Sequence, residues 1–500
     1  MFKKILIANR GEIAARIIRA CKELNIRSVS IYSEADKTSL HTRLADESYL
    51  IGGAKSSESY LNADKIINLA KKIGADAIHP GYGYFSENYS FIKNVEESGI
   101  AFIGPSSKSV RLMGNKTAAR ELMQKNNIPI VPGTITPIKT LKEGISKAKD
   151  IGFPILLKAV SGGGGKGMRI VYSEKEFEDL LTSTKREAKN SFGSDKVYLE
   201  KFIENPRHIE VQILGDKYGD YIHLFERECS IQRRHQKIIE ESPSSFVDEI
   251  TRSKITTAAL NAAKASKYYN AGTVEFLMDK NKNFYFLEMN TRIQVEHPVT
   301  EYITGVDLVR QQIKIAYGET LDIKQNDIIR NGHSLECRIY AEDSNNNFLP
   351  STGKLENFDI PSGPGVRVDT GFEVGSSISM YYDPMIAKLV CWDKDRTSVI
   401  KRMIRALTEF EITGITHNIK FLKTVMNNKK FIKGNFDINF IEKEKLHNQL
   451  PSPESKDDIQ EETVAYIFSA LMYNKKINLL QIDKEKKNNL NMWNKQLYDE

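Results

Sequence analysis

Lys4 to Ala8 (KILIA) is a short apolar run that reads as a buried strand. The period then changes: Ile13, Ile17, Ala20, Cys21 and Leu24 recur at helical spacing and predict a helix over Gly11 to Leu24. Ser28 to Tyr32 reads as a second strand. A helix over Ala63 to Lys72 leads to a third at Ala75 to His79, and Ile100 to Ile103 is a fourth, closed by Gly104-Pro105. Strands separated by helices imply a parallel sheet with right-handed crossovers, a Rossmann-like architecture. The dinucleotide fingerprint GxGxxG is missing after the first strand, where Asn9-Arg10-Gly11-Glu12 stands, so NAD is not the expected ligand.

From Met113 the character changes. Val131-Pro132-Gly133 and Thr136-Pro137 read as linker. Pro154 to Val160 is a strand running into Ser161-Gly162-Gly163-Gly164-Gly165-Lys166-Gly167, and Met168 to Tyr172 is strand again. That order predicts a hairpin, not the strand–loop–helix of a Walker site. From Gly332 the chain turns β-rich through Leu335 to Tyr340, Val366 to Asp369 and Met385 to Cys391, with a helix over Val399 to Leu407. Pro451-Ser452-Pro453 breaks the pattern. Beyond it Val464, Ile467, Phe468, Leu471 and Met472 mark one face of a helix.

Composition changes this picture little. In 500 residues, 72 basic against 65 acidic side chains leave a charge of +7, too mild to argue for nucleic acid. Residues 441–500 hold 9 basic and 11 acidic side chains, so the excess is +9 before them and −2 within them. No apolar run approaches the roughly 18 residues of a membrane span. After Lys3-Lys4 only Ile5 to Ala8 precede Asn9-Arg10, too short for a signal-peptide core. A cytoplasmic protein with no membrane or nucleic-acid partner is expected. Cys21, Cys229, Cys337 and Cys391 are scattered, form no CxxC pair and read as reduced buried thiols.

Four stretches carry chemistry. The glycine loop lets backbone N–H groups approach an anion, with Lys166 adding charge over it. Gly167 after Lys166 breaks the Walker pattern, HRD and DFG are absent, and a flexible turn is the alternative. Lys116 and Lys158 are further cations, lone surface lysines by default. Lys158, however, lies in an apolar strand where an uncompensated charge is costly, which suggests a bound anion.

Residues 273–290 (TVEFLMDKNKNFYFLEMN) read as a hairpin. Pairing Asp279 with Phe284 sets Glu275 directly against Glu288, an unfavourable opposition that a divalent cation reverses. Glu275, Glu288 and Asn290 then offer oxygen ligands suited to Mg²⁺ or Mn²⁺. A register one residue off would put one glutamate in solvent. Next, Arg292, Gln294 and Glu296 alternate, so in an extended segment they point one way and hold a small planar anion while moving its proton. The alternative there is an exposed edge strand. The basic patch Gln232-Arg233-Arg234-His235-Gln236-Lys237 has no interleaved aromatics and is followed by Glu240-Glu241, so it reads as part of an anion-binding wall.

In combination, residues 7–14 (IANRGEIA), 79–83 (HPGYG), 161–168 (SGGGGKGM) and 288–301 (EMNTRIQVEHPVTE) resemble biotin carboxylases of the ATP-grasp superfamily. The resemblance runs from about residue 2 to 445. It implies a mixed α/β and α+β chain: a Rossmann-like domain over 1–112, an ATP-grasp domain with a glycine-rich lid over 113–330, a β-rich C-terminal biotin carboxylase domain over 331–445 and an extension over 446–500. It also implies an ATP-dependent ligase in which ATP phosphorylates bicarbonate to carboxyphosphate, the source of CO₂ for the ureido N1 of biotin. Carried over by position, Lys116, Lys158, His208 and Gly163, Gly164, Gly165, Lys166 and Gly167 would bind ATP phosphates, beside Gln232 and His235. Glu200, Lys201 and Ile203 match the adenine segment, a strand edge whose backbone can hydrogen-bond the base. Glu275, Glu288 and Asn290 match the ligands of two Mg²⁺ or Mn²⁺ ions. Arg292, Gln294 and Val295 would hold bicarbonate with Lys237 assisting, Glu296 would be the base, and Arg338 would stabilise the biotin enolate.

The biotin acceptor motif Ala-Met-Lys-Met is absent, Ala470-Leu471-Met472 being the nearest string. Biotin is therefore expected on a separate carrier, alongside a carboxyltransferase subunit, with a homodimer of this chain inside a larger complex. Tyr381 to Lys388 (YYDPMIAK) is similar to pyruvate carboxylases, which makes a split pyruvate carboxylase the first expectation. Acetyl-CoA or propionyl-CoA carboxylase shares the half-reaction and stays open. RIQVEHPVTE argues against a carboxylate–amine ligase, and the intact anion, metal and base residues argue against a non-catalytic assembly subunit. The Val464–Met472 face either docks the partner subunit or packs on its own domain.

Overall fold

The first apolar run forms the strand Lys4–Ile7 at the centre of a five-stranded parallel sheet. The strand order is Glu47–Gly52, Arg27–Ser33, Lys4–Ile7, Ala77–His79 and Ala101–Phe102. Ile5 and Ile7 pack with Ile13 and Ile17 of the helix Gly11–Glu23, while Leu6 and Ala8 pack with Ile66 and Phe91 on the other face. A strand buried on both sides needs apolar residues throughout, which is why KILIA shows no alternation. The edge strand Glu47–Gly52 was not expected from sequence. It is mostly half-buried, and its apolar residues Tyr49, Leu50 and Ile51 run together in a stretch of three, so its pattern is weak.

In the computed structural model the described residues are 1–134, 136–160, 167–448, 464 and 466–473. Met1–His447 forms one compact unit and Asn448–Glu500 a second. In the second, residue 464 and residues 466–473 are helical, where the apolar spacing places a helix. No helix among the described residues is long and apolar enough to cross a membrane. All four cysteines are free and buried.

The expected glycine hairpin is present as Ile155–Ala159 paired antiparallel with Met168–Val171, and Val197–Lys201 completes a three-stranded sheet. Gly163, Gly164, Gly165 and Lys166 lie outside the described residues. Gly167 has φ +70°, and a Cβ there would stand 2.9 Å from that of Ala159, so only glycine fits where the second strand begins.

The third sheet has eight antiparallel strands in the order Phe284–Asn290, Asn270–Met278, Arg207–Gly215, Tyr221–Arg233, Gln236–Ser242, His333–Tyr340, Met385–Asp393 and Val366–Thr370. It joins strands on both sides of residue 330 without a break. Its middle strands bury His208, Glu210, Gln212, Arg227 and Glu240. Polar side chains at that depth need partners within the fold, and they find them in one place.

Candidate active site

A cavity of about 870 Å³ is lined by residues of both the three-stranded and the eight-stranded sheet. Every described residue assigned to the site by the resemblance lines it except Gly167: Lys116, Lys158, Glu200, Lys201, Ile203, His208, Gln232, His235, Lys237, Glu275, Glu288, Asn290, Arg292, Gln294, Val295, Glu296 and Arg338.

Glu275 stands opposite Glu288, as expected, but by a different route. Met278, not Asp279, pairs with Phe284, and a bulge between Glu275 and Phe276 restores the lost residue. Burial and the facing Glu275 raise the pKa of Glu288. Glu288 forms no hydrogen bond or ion pair with a described residue, and Asn290 Nδ2 is buried without a partner. A buried carboxylate set directly across from a second one, with an asparagine beside it, fits a divalent cation. His208 belongs to the same group. Its imidazole and the carboxylates of Glu210 and Glu275 bring three potential ligand atoms within 4.8 Å of one another. Burial lowers the His208 pKa, but Glu275 and Glu210 together more than offset this and carry it up to about 9.

Lys237 is the hub. Its ammonium lies 2.6 Å from Glu210 Oε2, 3.0 Å from Glu275 Oε1 and 2.6 Å from Glu296 Oε1. Burial opposes its charge, and the three carboxylates outweigh that, so its pKa lies well above the ordinary lysine value. Glu296 is also met by Arg338, 2.9 Å from Oε2. Burial raises the Glu296 pKa, but Lys237, Arg338 and Arg227 together more than reverse this, so the carboxyl is held below its usual range and stays ionised. Arg338 is held from behind by Glu240, whose pKa burial pushes up to about 7.

Three readings of the sequence are corrected here. Lys158 is not uncompensated: its ammonium is 2.9 Å from Glu200 Oε2, and Arg120 binds the other oxygen of the same carboxylate. Its place in an apolar strand therefore does not by itself require an anion. The strand edge expected to be open at Glu200 and Lys201 is covered by Pro132 to Thr134, with Lys201 N donating to Pro132 O at 2.7 Å and Thr134 N to Leu199 O at 2.8 Å. Finally, residues 291–296 are not an extended strand but an irregular turn leading into the helix His297–Thr304. Pro298 in the first turn of that helix has no N–H to extend a ladder. All three side chains still line the cavity. Arg292 is held by Glu87 at 2.9 Å and Asn290 Oδ1 at 3.0 Å, Gln294 donates to Glu275 at 2.9 Å, and Glu296 meets Lys237 and Arg338.

The basic patch is the tip of a hairpin in which Arg233 pairs with Gln236 across Arg234 and His235, both at positive φ. Arg233 is taken by Glu342 at 2.7 and 3.0 Å, and the patch gives the cavity Gln232, His235, Gln236 and Lys237.

Sequence reasoning missed Glu210, Arg227, Glu240 and Glu87. Arg227 is fully buried and donates to Gln212, Gln294, Thr273 and Thr300 as well as Glu210, which fixes the Gln294 amide. A signal was available: His208, Glu210 and Gln212 alternate with Ile209, Val211 and Ile213, a polar face on a strand with no solvent side.

The comparisons agree along the chain. Residues 1–110 match the profile of the biotin carboxylase N-terminal domain, 115–324 that of the carbamoyl-phosphate synthase L chain ATP-binding domain, and 336–443 that of the biotin carboxylase C-terminal domain. A biotin carboxylase from Nostoc sp. is 51% identical over 88% of this chain and 99% of its own length. The mitochondrial propionyl-CoA carboxylase alpha chain of Homo sapiens is 50% identical over 88% of this chain, which spans only 61% of that protein. In structure, the chain is similar to the biotin carboxylase domain dimer of Hydrogenobacter thermophilus 2-oxoglutarate carboxylase, crystallised with MgADP, ADP and bicarbonate. The TM-score is 0.84 and the identity 48%, covering 89% of this chain and 98% of that one. With its cavity residues in this order and a biotin carboxylase matched over nearly its full length, the chain belongs to the biotin carboxylase family.

Proposed function

We propose that the chain carboxylates biotin, driven by ATP and bicarbonate, and that the cavity described above is where this happens. The observation that carries the reading is the ionised Glu296, set between Lys237 and Arg338 and beside the directly opposed carboxylates Glu275 and Glu288. Each Glu296 oxygen has one cationic partner and a lone pair to spare, so it can accept the proton of a bicarbonate held by Arg292, Gln294 and the Val295 backbone. The freed bicarbonate oxygen attacks the γ-phosphorus of ATP, whose phosphates Lys116, Lys158 and His208 face, and ADP leaves. Glu275, Glu288 and Asn290 would hold Mg²⁺, which supplies charge neutralisation between phosphate oxygens when bound. The resulting carboxyphosphate breaks down to CO₂ and phosphate. Biotin, presented from outside these residues, loses its N1 proton to that phosphate and takes up the CO₂. Arg338 has more N–H donors than Glu240 and Glu296 use, and these stabilise the charge on the ureido oxygen.

For the final acceptor, the YYDPMIAK stretch favours pyruvate and the likeness to a propionyl-CoA carboxylase chain supports an acyl-CoA. The test of the reading is phosphate release by the purified chain with ATP, Mg²⁺, bicarbonate and free biotin. Release that needs both bicarbonate and biotin is expected, and release indifferent to both overturns the reading. Adding back candidate carrier and transferase subunits, with pyruvate or an acyl-CoA, then assigns the acceptor.

A further inference from the structure

Lys388 stands in the strand Met385–Asp393 among apolar neighbours and is fully buried. A buried ammonium is costly unless it is paired. Its nitrogen lies 3.1 Å from Glu12 Oε1 on the first helix and 3.9 Å from Asp369 Oδ2 on the neighbouring strand. It also donates to the backbone carbonyl of Val295 at 2.9 Å. Burial lowers its pKa and the carboxylates of Glu12, Glu336 and Asp369 more than reverse this, so it remains a cation. Lys388 is absent from the cavity wall, so it acts on the site only through what it holds.

What it holds is the irregular turn that carries Gln294 and Glu296. That turn has left the sheet ladder. Its backbone is held locally by His297 N and Nδ1 at Gln294 O (3.3 and 2.8 Å), Val299 N at Glu296 O (3.3 Å), Arg292 Nη1 at Ile293 O (3.2 Å) and Glu87 at Thr291 N (3.0 Å), and Lys388 ties Val295 O to the strand Met385–Asp393. We propose that Lys388 is a positioning residue, which anchors the Val295 carbonyl and thereby aims Glu296 and Gln294 at bicarbonate. This rests on the function proposed above.

Removing a buried charge alone would strand its partner, whereas replacing both members of a pair is often tolerated. The informative set is Glu12→Gln, after which Lys388 keeps the charge of Asp369 and Glu336 and its bond to Val295 O, and the double variants Glu12→Gln/Lys388→Met and Glu12→Gln/Lys388→Gln, made in the full chain. Phosphate release is followed against bicarbonate at saturating ATP, Mg²⁺ and biotin, and ADP affinity is measured by titration. With Glu12→Gln, kcat/KM for bicarbonate should stay within about twofold of native. With the methionine double variant it should fall about 100-fold, the scale set by a misplaced reacting group, while ADP affinity holds. The glutamine double variant, whose amide reaches toward Val295 O, should regain part of the loss. A methionine variant with near-native kcat/KM overturns the proposal, as does an equal loss of ADP affinity or a failure of both double variants to fold. A native chain without bicarbonate dependence defeats the proposed function instead.

Discussion

Glu296 draws its character from its neighbours: a carboxylate buried to 1% exposure is kept ionised by the ammonium of Lys237 and the guanidinium of Arg338. Glu296→Gln should cut bicarbonate-dependent phosphate release by about 10²- to 10⁴-fold, the usual contribution of a general base, and leave ADP binding intact by titration. Elsewhere a similar pair acts on stability alone. Glu241 is buried against Arg396 at 2.7 Å and His333 at 2.9 Å. Burial raises its pKa, but Arg396 and His333 bring it down to about 2, below the ordinary 4.5. A depressed carboxyl pKa contributes stability that is complete above the ordinary value and is lost as pH falls toward the native one. Arg396→Met should therefore cost about 3–5 kcal/mol near pH 7, the scale of a broken buried pair, and progressively less between pH 4.5 and 2. Urea unfolding across that range measures it, and a pH-independent difference would contradict the assignment. At this scale sequence was informative where chemistry is contiguous, as in 288–296. It was silent on Glu210, Arg227 and Glu240, which are far apart along the chain and meet only through strand pairing.

The hairpin of residues 270–290 shows how a right answer arises from a wrong register. Turn length alone gave a pairing that is off by one from Met278 to Phe276, and a bulge, which sequence does not announce, put Glu275 back against Glu288. Opposed carboxylates cost stability until a cation lies between them. Glu288→Gln should stabilise the metal-free chain by about 0.2–1 kcal/mol and raise the Mg²⁺ concentration needed for half-maximal phosphate release. Thermal melts with and without Mg²⁺ check both, and a variant that loses stability without Mg²⁺, or gains as much from Mg²⁺ as the native chain, would argue against the metal reading. The turn at 291–296 was misread as a strand for a related reason. Alternation of Arg292, Gln294 and Glu296 mimics a period of two, but the chain is already bending toward a helix whose Pro298 cannot extend a ladder.

Across the whole molecule, four strands of the parallel sheet and the helices Gly11–Glu23 and Ala63–Lys72 were legible because their apolar patterns are strong. The strands between 207 and 242 were not, because their buried polar residues break the pattern that marks a core. Residues Met1–His447 form one compact unit that contains the entire cavity. A chain ended after Leu450 should therefore keep its bicarbonate-dependent phosphate release. Unchanged co-purification of that shortened chain with a carrier–transferase subunit would show that the Val464–Met472 face is not a docking element. The central claim is that this cavity moves CO₂ from bicarbonate to biotin. Its most direct measurement is the product itself: ¹³C-bicarbonate, ATP, Mg²⁺ and free biotin incubated with the purified chain and examined by NMR. The account predicts N1-carboxybiotin, formed only when ATP is present and lost in Glu296→Gln. ATP hydrolysis with no label on biotin would contradict it.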